Sequence, residues 1–457
     1  MDPDNVENES RRPVLVALLV VLMSTGGLVS CGESYQAPLP ERDRIHYPVG
    51  LSMHPDGRFL YVVNTNFNVR YRPEIGGTVS VVDTRSMRIQ AEQSPYIPSF
   101  GGDIELNDDA SKAYVATRQG NSVISLNVAG PSSDTGVAGG TLSCPGPDGQ
   151  STSDPARCIV DRVPNQDGGS LLPSDPFGLS VDTIRPTNPA TGQAVPIDLV
   201  SVAYLASENV STIAFPNRSI EGATMESAAL LPGANAIERR PGTLNMYAAG
   251  RRDAGVSVFT PLINRSNDGN FGEVQALISK GGFDLSPSAS NVDARDIAFG
   301  PDGDTLYVIS RRPDALHIVD IGPADPDTGE GTRHRVRTSI SLEDQPSSLV
   351  VHRGADGKRR IYVSCYDDRS IQVVDPAAEV VTEVIEVDGR PYDMVTDKAD
   401  NRCQNPGETC RLYVSLFNDP PGTKSSCGPT AAQCGSLAMI DLDPSSSRYH
   451  RVVSKLR

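Results

Sequence analysis

Seven tyrosines along the chain share one local sequence pattern. Each lies in a short run of small and apolar residues, as in Tyr61–Asn64 and Tyr307–Ser310, and both of these runs follow a Pro-Asp-Gly turn that begins six residues upstream. The set is Tyr61, Tyr114, Tyr204, Tyr247, Tyr307, Tyr362 and Tyr413. The intervals between them are 53, 90, 43, 60, 55 and 51 residues, against about 40–50 for one propeller blade with its loops. The repeat predicts one structural unit per tyrosine, with an insertion in the longest interval.

Short apolar strands flank each tyrosine. Leu51–Met53 precedes Tyr61, Val79–Asp83 follows it, and some units add a fourth strand such as Val380–Val387. β-Branched residues dominate these segments, as strands prefer. The pattern predicts an all-β fold, a seven-bladed β-propeller with four-stranded antiparallel blades, over residues 45–457. We expect the repeated tyrosines to pack between neighbouring sheets and to have a structural role.

The repeats resemble the YVTN family of bacterial β-propellers, which are relatives of the lactonase-like seven-bladed proteins. Tyr61–Asn64 matches the tetrapeptide that names the family with one substitution, and the resemblance extends from about residue 45 to the C-terminus. It implies a seven-bladed body in an extracytoplasmic setting. Because the repeated residues build blades, the resemblance implies a fold rather than an activity.

The N-terminal segment has the features of a bacterial lipoprotein signal. A basic pair, Arg11 and Arg12, precedes an apolar run from Pro13 to Met23, which is shorter than the ~20 residues that a membrane-spanning helix needs. The run leads into Leu28–Cys31, which resembles a lipobox, where the cysteine becomes the first mature residue and carries the lipid. We therefore predict lipidation of Cys31, with palmitate among the acyl chains.

This signal divides the chain into three predicted parts. Residues 1–30 form the signal peptide, residues 31–44 form a lipidated tether that is small, polar and proline-bearing, and residues 45–457 form the propeller. The predicted location is the bacterial cell envelope, with the protein attached to a membrane only through its N-terminal lipid.

Composition and motifs exclude several classes of partner and activity. Asp and Glu number 57 against 41 Lys and Arg, a formal net charge of −16, which argues against binding to nucleic acid. The sequence has no histidine metal motif, P-loop, dinucleotide fingerprint or nucleophile elbow. We predict no cofactor, and the acidic turns at 267–270 and 325–330 match a Ca²⁺ loop only incompletely. We expect a monomer.

Eight cysteines are present, and with Cys31 assigned to the lipid an odd number remains. Sequence-local disulfides are the simplest pairing in an oxidising envelope, and the predicted pairs are Cys144–Cys158, Cys403–Cys410 and Cys427–Cys434. Cys365 is left over at the end of a buried-looking strand, where a free cysteine acts as a small hydrophobe. No CxxC pair or histidine cluster accompanies these cysteines in the sequence, which argues against a metal site.

One position of the repeat carries acidic residues. In the strand before each tyrosine, the position just ahead of the first apolar residue reads Gly50, Asp103, Gly178, Ala236, Asp296, Ser348 and Asp393. This strand lines the central channel of a propeller, so the three aspartates are candidate channel ligand-binding residues, with Arg295 and Arg390 nearby in sequence. Converging carboxylates bind a cation or polar ligand, or share a proton. The alternative, which we favour, is that each carboxylate bonds backbone or a neighbouring blade's turn.

Two functions are consistent with these features. The main prediction is a lipid-anchored envelope propeller that acts as a non-enzymatic binding or scaffold protein for a protein or glycan partner; long insertions near 130–176 and 417–436 favour it. The alternative is a lactonase-like hydrolase that uses acidic residues at the central channel. Carboxylates facing solvent beside a His or Arg favour the enzyme, and carboxylates bonded to turns disfavour it.

Overall fold

The structure is a computed structural model, and it describes the chain from residue 37 onward with several gaps. The described residues are 37–130, 139–146, 151–164, 169–230, 232–252, 255–266, 270–286, 292–325, 331, 333–398, 400–403, 405, 407–418 and 435–457. The predicted lipidation site Cys31, the predicted pair Cys427–Cys434, and most of the two acidic turns lie outside these residues.

Blades 1 and 2 carry extra strands beyond the basic four. Blade 1 contains β1 (Pro48–Met53), β2 (Phe59–Asn64), β3 (Gly77–Asp83), β4 (Arg88–Ile89) and β5 (Tyr96–Ile97). Blade 2 contains β6 (Gly101–Leu106), β7 (Lys112–Thr117), β8 (Ser122–Val128), β9 (Leu142–Pro145), β10 (Ser151–Thr152) and β11 (Ile159–Val160). A separate hairpin follows, made of β12 (Arg162–Val163) and β13 (Ser170–Leu171). The extra strands of blade 2 and this hairpin lie in the 90-residue interval between Tyr114 and Tyr204.

Blades 3 to 7 are four-stranded antiparallel sheets of consecutive strands. Blade 3 contains β14 (Pro176–Ile184), β15 (Ile197–Tyr204), β16 (Asn209–Pro216) and β17 (Thr224–Ala229), and blade 4 contains β18 (Ala234–Arg239), β19 (Met246–Gly250), β20 (Gly255–Ile263) and β21 (Val274–Asp284). Blade 5 contains β22 (Ala294–Phe299), β23 (Thr305–Arg311), β24 (Asp314–Asp320) and β25 (Arg335–Ser341). Blade 6 contains β26 (Pro346–Arg353), β27 (Arg359–Cys365), β28 (Ser370–Asp375) and β29 (Val380–Glu386), and blade 7 contains β30 (Pro391–Thr396), β31 (Arg411–Leu416), β32 (Ser436–Asp441) and β33 (Val452–Leu456).

The first strand of each blade is the innermost one, and these strands form a closed ring. Each contacts the first strand of the next blade, in the order β1, β6, β14, β18, β22, β26 and β30, and β30 contacts β1. The predicted seven-bladed propeller is therefore confirmed. The C-terminal strand β33 is the outermost strand of blade 7, so the packing of blade 7 against blade 1 closes the ring.

The repeated tyrosines lie in the second strand of every blade and are at most 3% exposed. Their hydroxyl groups have partners: Tyr61 donates to the Gly140 carbonyl at 2.9 Å and Tyr204 donates to Ser211 at 2.9 Å. A buried aromatic ring with a satisfied hydroxyl stabilises the contact between sheets. The structural role predicted for these tyrosines is confirmed.

Two of the predicted disulfides are present. Cys144 on β9 pairs with Cys158, and Cys403 pairs with Cys410 in the connection between β30 and β31. Cys365 is free and fully buried at the end of β27, where burial raises the pKa of its thiol to about 12. The helical elements in the described part of the chain are single 3₁₀ turns at Pro73–Ile75, Ala91–Gln93 and Pro155–Arg157. None of the helices described is long and apolar enough to cross a membrane.

Candidate functional site

The acidic repeat position lies at the third residue of every innermost strand. In all seven blades the pairing between the first and second strands shifts register at or beside this residue. Such a β-bulge leaves backbone groups outside the ladder. The structure brings Asp103, Asp296 and Asp393 together around one cavity of about 110 Å³ inside the channel, which Arg295 and Arg311 also line.

The carboxylates of the three aspartates join neighbouring blades. Asp103 accepts the backbone N–H of Leu179 in blade 3 at 3.2 Å, and Asp296 accepts that of Leu349 in blade 6 at 2.8 Å. The third, Asp393, accepts the N–H of Leu51 at 2.8 Å and so ties blade 7 to blade 1.

Each aspartate also accepts the N–H of the residue that follows it, and Asp393 further accepts the Ser348 hydroxyl at 2.9 Å. A structural role of this kind was the favoured alternative for the three carboxylates. The hydrogen bonds come from strand backbone rather than from turns. Binding of a ligand by the three aspartates stays a prediction.

The acids of the channel hold protons more tightly than free carboxylates do. Burial raises the pKa of Asp103 to about 8, with a further increase from Asp393. Burial likewise raises the pKa of Asp296 to about 7 and that of Asp393 to about 6. The backbone hydrogen bonds to these two carboxylates lower their pKa values, but by less than burial raises them. Several carboxyl groups close together in a desolvated site cannot all ionise. The channel therefore carries less negative charge near neutral pH than its sequence implies.

Sequence reasoning missed three further acids in or beside the channel. They are Glu105 and Glu238, which line the cavity, and Asp182, which pairs with Arg239. Burial raises the pKa of Glu238 to about 8, that of Asp182 to about 6, and that of Glu105 well above its usual range. The two glutamates could have been found from the strand pattern, because residues i and i+2 of a strand face the same side. Glu105 follows Asp103 by two residues and Glu238 follows Ala236 by two.

Glu238 differs from its neighbours in having no anchor. Glu105 accepts the Val181 N–H at 2.8 Å, whereas no hydrogen-bond or ion-pair partner of Glu238 is present within the described residues. Among the described residues, its carboxyl group is therefore the channel acid without a bonded partner.

The mouth of the channel is aromatic. A second cavity of about 300 Å³ is lined by six aromatic side chains, which are Phe67, Phe100, Phe177, Tyr366, Tyr392 and Phe417. They come from inner strands and from loops of blades 1, 2, 3, 6 and 7. The rings of Phe67 and Phe417 meet edge to face at 5.1 Å between centroids, and Phe67 is 60% exposed. Phe177, Arg311 and Tyr392 line both cavities, so the aromatic mouth adjoins the acidic cavity.

Arginines line the acidic cavity as well as the mouth. Arg295 and Arg251 both pair with Asp293, at 2.9 and 3.4 Å, while Arg311 donates to the Pro346 carbonyl and the Ser347 hydroxyl at 2.8 and 2.7 Å. Burial lowers the pKa of Arg311 to about 10, and the charge of Arg295 lowers it further. The buried Nε of Arg295 has no hydrogen-bond partner among the described residues. Clustered arginines with one unmet N–H donor suit an anionic group.

Arg390, noted in the sequence beside Asp393, does not reach the channel cavity. Its guanidinium lies over the Tyr366 ring, 5.2 Å from the centroid, and pairs with Asp367 at 3.5 Å. It therefore lies beside the aromatic mouth, because Tyr366 and Asp367 both line that cavity.

Small residues fill the repeat position in the other four blades. A Cβ atom at Gly178 would collide with the backbone carbonyl of Asn235 in the next blade. Neighbouring inner strands approach so closely there that glycine is required.

Comparisons with known proteins support the fold and no more. No protein-family model matches the chain, and no curated protein matches it by sequence. A solved protein from Lactobacillus plantarum is 12% identical with a TM-score of 0.50, over 74% of this chain and 85% of that one. The periplasmic gluconolactonase of Pseudomonas aeruginosa is 18% identical with a TM-score of 0.46, over 74% and 84%. Kuenenia stuttgartiensis hydrazine synthase is 13% identical with a TM-score of 0.47, over 82% and 93%. Membership of the YVTN family stays a prediction.

Proposed function

We propose that this protein is a lipid-anchored envelope propeller that binds, without chemical turnover, a glycan bearing an acidic group. The observation that carries the proposal is the aromatic mouth, a concave site that Arg118 and Arg311 line, next to an acidic cavity that Arg295 lines. Small-ligand sites are concave and mostly apolar, with a few polar groups that fix orientation. The aromatic rings would stack on the apolar faces of sugar rings. The acidic group would contact Arg311, which lines both cavities, and reach Arg295 in the adjoining acidic cavity.

The dimensions of the mouth favour a glycan over a protein partner. Its volume of about 300 Å³ lies at the lower end of small-ligand pockets, which suits one or two sugar rings. A stable protein interface buries about 1,600 Å² over a broad surface, and the aromatic cluster offers no such area. A protein partner would therefore need loops beyond the mouth itself.

Local charge supports an acidic ligand despite the acidity of the whole chain. The net charge is −16, yet Arg118 and Arg311 line the mouth against a single carboxylate, Asp367. The acids below hold their protons because of burial, as the raised pKa values of Asp103 and Asp296 indicate. An anion at the mouth would meet arginines first and largely neutral acids behind them.

The test is binding of matched oligosaccharides to the purified full chain. We expect oligosaccharides containing uronic acid to bind at least about tenfold more tightly than neutral ones of the same length, one tenfold step being 1.4 kcal/mol. Arg295→Gln should remove this preference, and Phe283→Ala on the outer strand β21 should leave it unchanged. Equal affinity for both classes, or binding only of a protein from the envelope, would refute the glycan proposal.

The anchor is a separate part of the proposal. We expect the wild-type chain to incorporate labelled palmitate and to sediment with membranes, and Cys31→Ser to lose both properties, because the lipobox-like Leu28–Cys31 follows the apolar run. Label incorporation by the Cys31→Ser variant would overturn lipidation at this residue.

A hydrolase is the second candidate, and Glu238 is the observation that favours it. A carboxyl group with a pKa of about 8 is protonated at neutral pH and suits a general acid. Turnover of lactones by the purified chain, abolished by Glu238→Gln, would favour the enzyme over the binding protein. Under the binding proposal no lactone is hydrolysed above the rate in buffer.

A further inference from the structure

A histidine of blade 6 contacts the cysteine pair of blade 7. His352 lies on the innermost strand β26, and Cys403 and Cys410 lie in the connection between β30 and β31. The Nε2 atom of His352 is 3.2 Å from the Sγ of Cys403 and 3.5 Å from the Sγ of Cys410. Within the described part of the chain this is the only group of three potential ligand side chains whose donor atoms all lie within 4.8 Å of one another.

The three side chains are buried together. His352 is 1% exposed, Cys403 is 4% exposed and Cys410 is fully buried. The other ring nitrogen of His352, Nδ1, is also buried and has no hydrogen-bond partner among the residues described. The Nε2 atom is the one that faces the sulfurs, and two soft sulfur atoms facing an imidazole nitrogen form a typical donor set for Zn²⁺.

The distances agree with tetrahedral coordination. Zn–S and Zn–N bonds of about 2.3 and 2.0 Å at a tetrahedral angle separate a nitrogen from a sulfur ligand by about 3.5 Å. The observed separations of 3.2 and 3.5 Å are close to this value. In the reduced chain the two sulfur atoms would move apart to about 3.8 Å, with the Cα atoms already 6.1 Å apart.

We propose that the reduced Cys403 and Cys410, together with His352, bind one Zn²⁺ ion, so that the disulfide and the metal site are alternative states of one cluster. A dithiol transfers two electrons to the disulfide, which becomes two thiols while the dithiol closes to its own disulfide. Zn²⁺ then replaces the two thiol protons, which leave to solvent, and accepts the imidazole lone pair. Water takes the fourth position.

The metal would join two blades, whereas the disulfide closes a loop within one. Cys403 and Cys410 are 7 residues apart, but His352 is 51 and 58 residues from them in sequence. The Cys403 N–H also donates to the Arg353 carbonyl of blade 6 at 2.9 Å. Zn²⁺ would therefore stabilise the contact between blades 6 and 7 when the disulfide is reduced.

The experiment uses the full chain, reduced with a dithiol without oxygen, freed of reductant and titrated with Co²⁺ as a spectroscopic substitute for Zn²⁺. We expect a thiolate-to-cobalt charge-transfer band that saturates and that Zn²⁺ displaces. The double variant Cys403→Ser, Cys410→Ser should lose the band, and the oxidised wild type should never show it. The matched control Cys144→Ser, Cys158→Ser should keep it.

His352→Gln tests the imidazole ligand. Loss of residues that only orient ligands costs about 10–100-fold in metal affinity, so loss of a direct ligand should cost at least about 100-fold. His317→Gln, at another buried histidine, should leave the affinity unchanged, and the melting temperature of each oxidised variant reports whether it folds. A charge-transfer band that survives in the Cys403, Cys410 variant, or that is absent from reduced wild type, would overturn the proposal.

Discussion

The acidic cavity and the aromatic mouth share residues of the inner strands, yet the side chains that line them differ in exposure and in their partners. In the cavity, Asp103, Asp296 and Asp393 each accept a backbone N–H from the next blade. At the mouth, Phe67 is 60% exposed and the side chain of Arg118 is 40% exposed. Groups that are already bonded hold the ring together, and groups with unmet capacity are those on which a ligand can act.

This difference separates stability from binding along one channel. Substitutions in the cavity should weaken folding, because buried donors lose their acceptors. Substitutions at the mouth should weaken binding while folding is maintained, because exposed side chains contribute little to the free energy of unfolding.

The largest effect is expected for Asp393→Ala. It removes the acceptor for the N–H groups of Leu51 and Met394 and for the Ser348 hydroxyl, at the contact that closes the ring. Leaving buried donors unpaired costs about 1–3 kcal/mol each, so we expect a loss of about 3–5 kcal/mol in the free energy of unfolding, measured in urea. Asp302→Ala, a half-exposed turn carboxylate, should cost less than about 1 kcal/mol. Equal costs for the two variants would contradict a structural role for Asp393.

The next effect is a loss of stability as pH rises. The pKa values of Asp103 and Asp296 are about 8 and 7 in the folded chain against about 3.9 for an unfolded aspartate. The folded chain therefore binds more protons than the unfolded chain between these values, and the free energy of unfolding falls as pH rises. The pKa values of His317 and His352 are about 4 because of burial. Between about pH 4 and 6.5 the unfolded chain therefore binds more protons at these histidines, and the free energy of unfolding rises with pH.

Between pH 6.5 and 8, the pH dependence of stability reports the channel acids, because the two buried histidines contribute only at lower pH. Urea midpoints across it should decline for wild type and decline less steeply for Asp103→Asn, which cannot titrate. A midpoint that is flat or rises over this range in wild type would show that the channel acids ionise normally.

A moderate effect is expected at the mouth for Phe67→Ala. The ring is 60% exposed and contacts Tyr47 and Phe417, so the free energy of unfolding should change by about 0.5 kcal/mol or less. Affinity for the acidic oligosaccharide should fall about tenfold, which equals about 1.4 kcal/mol, as measured by calorimetry. Unchanged affinity would remove the aromatic rim from the binding site.

The smallest effect is expected for Arg118→Gln. Its guanidinium is 40% exposed and pairs with Asp175 at 3.2 Å, and exposed ion pairs contribute about 0–1 kcal/mol. We expect a change of about 0.5 kcal/mol in stability and of about threefold or less in affinity, decreasing as salt is added. A loss of affinity as large as that of Arg295→Gln would indicate that the acidic group of the ligand contacts Arg118 rather than Arg295.

The blades were predictable because each is made from neighbouring segments. Tyr61, its turn and its flanking strands lie within about forty residues, so hairpin periodicity and turn chemistry are visible along the chain. The disulfides Cys144–Cys158 and Cys403–Cys410 are local for the same reason. The shared position of Asp103, Asp296 and Asp393 followed from the repeat register, which the structure maintains to the residue.

The sites formed between blades were decided by the tertiary structure alone. The aromatic mouth gathers side chains from five blades whose loops share no period, and His352 meets Cys403 across 51 residues of sequence. Sequence spacing argued against a metal site at those cysteines, because no histidine lies near them in the chain. The histidine that contacts them, His352, belongs to another blade. Strand patterns report contacts between neighbours along the chain, whereas closing the ring brings together residues whose separation in sequence carries no periodic signal.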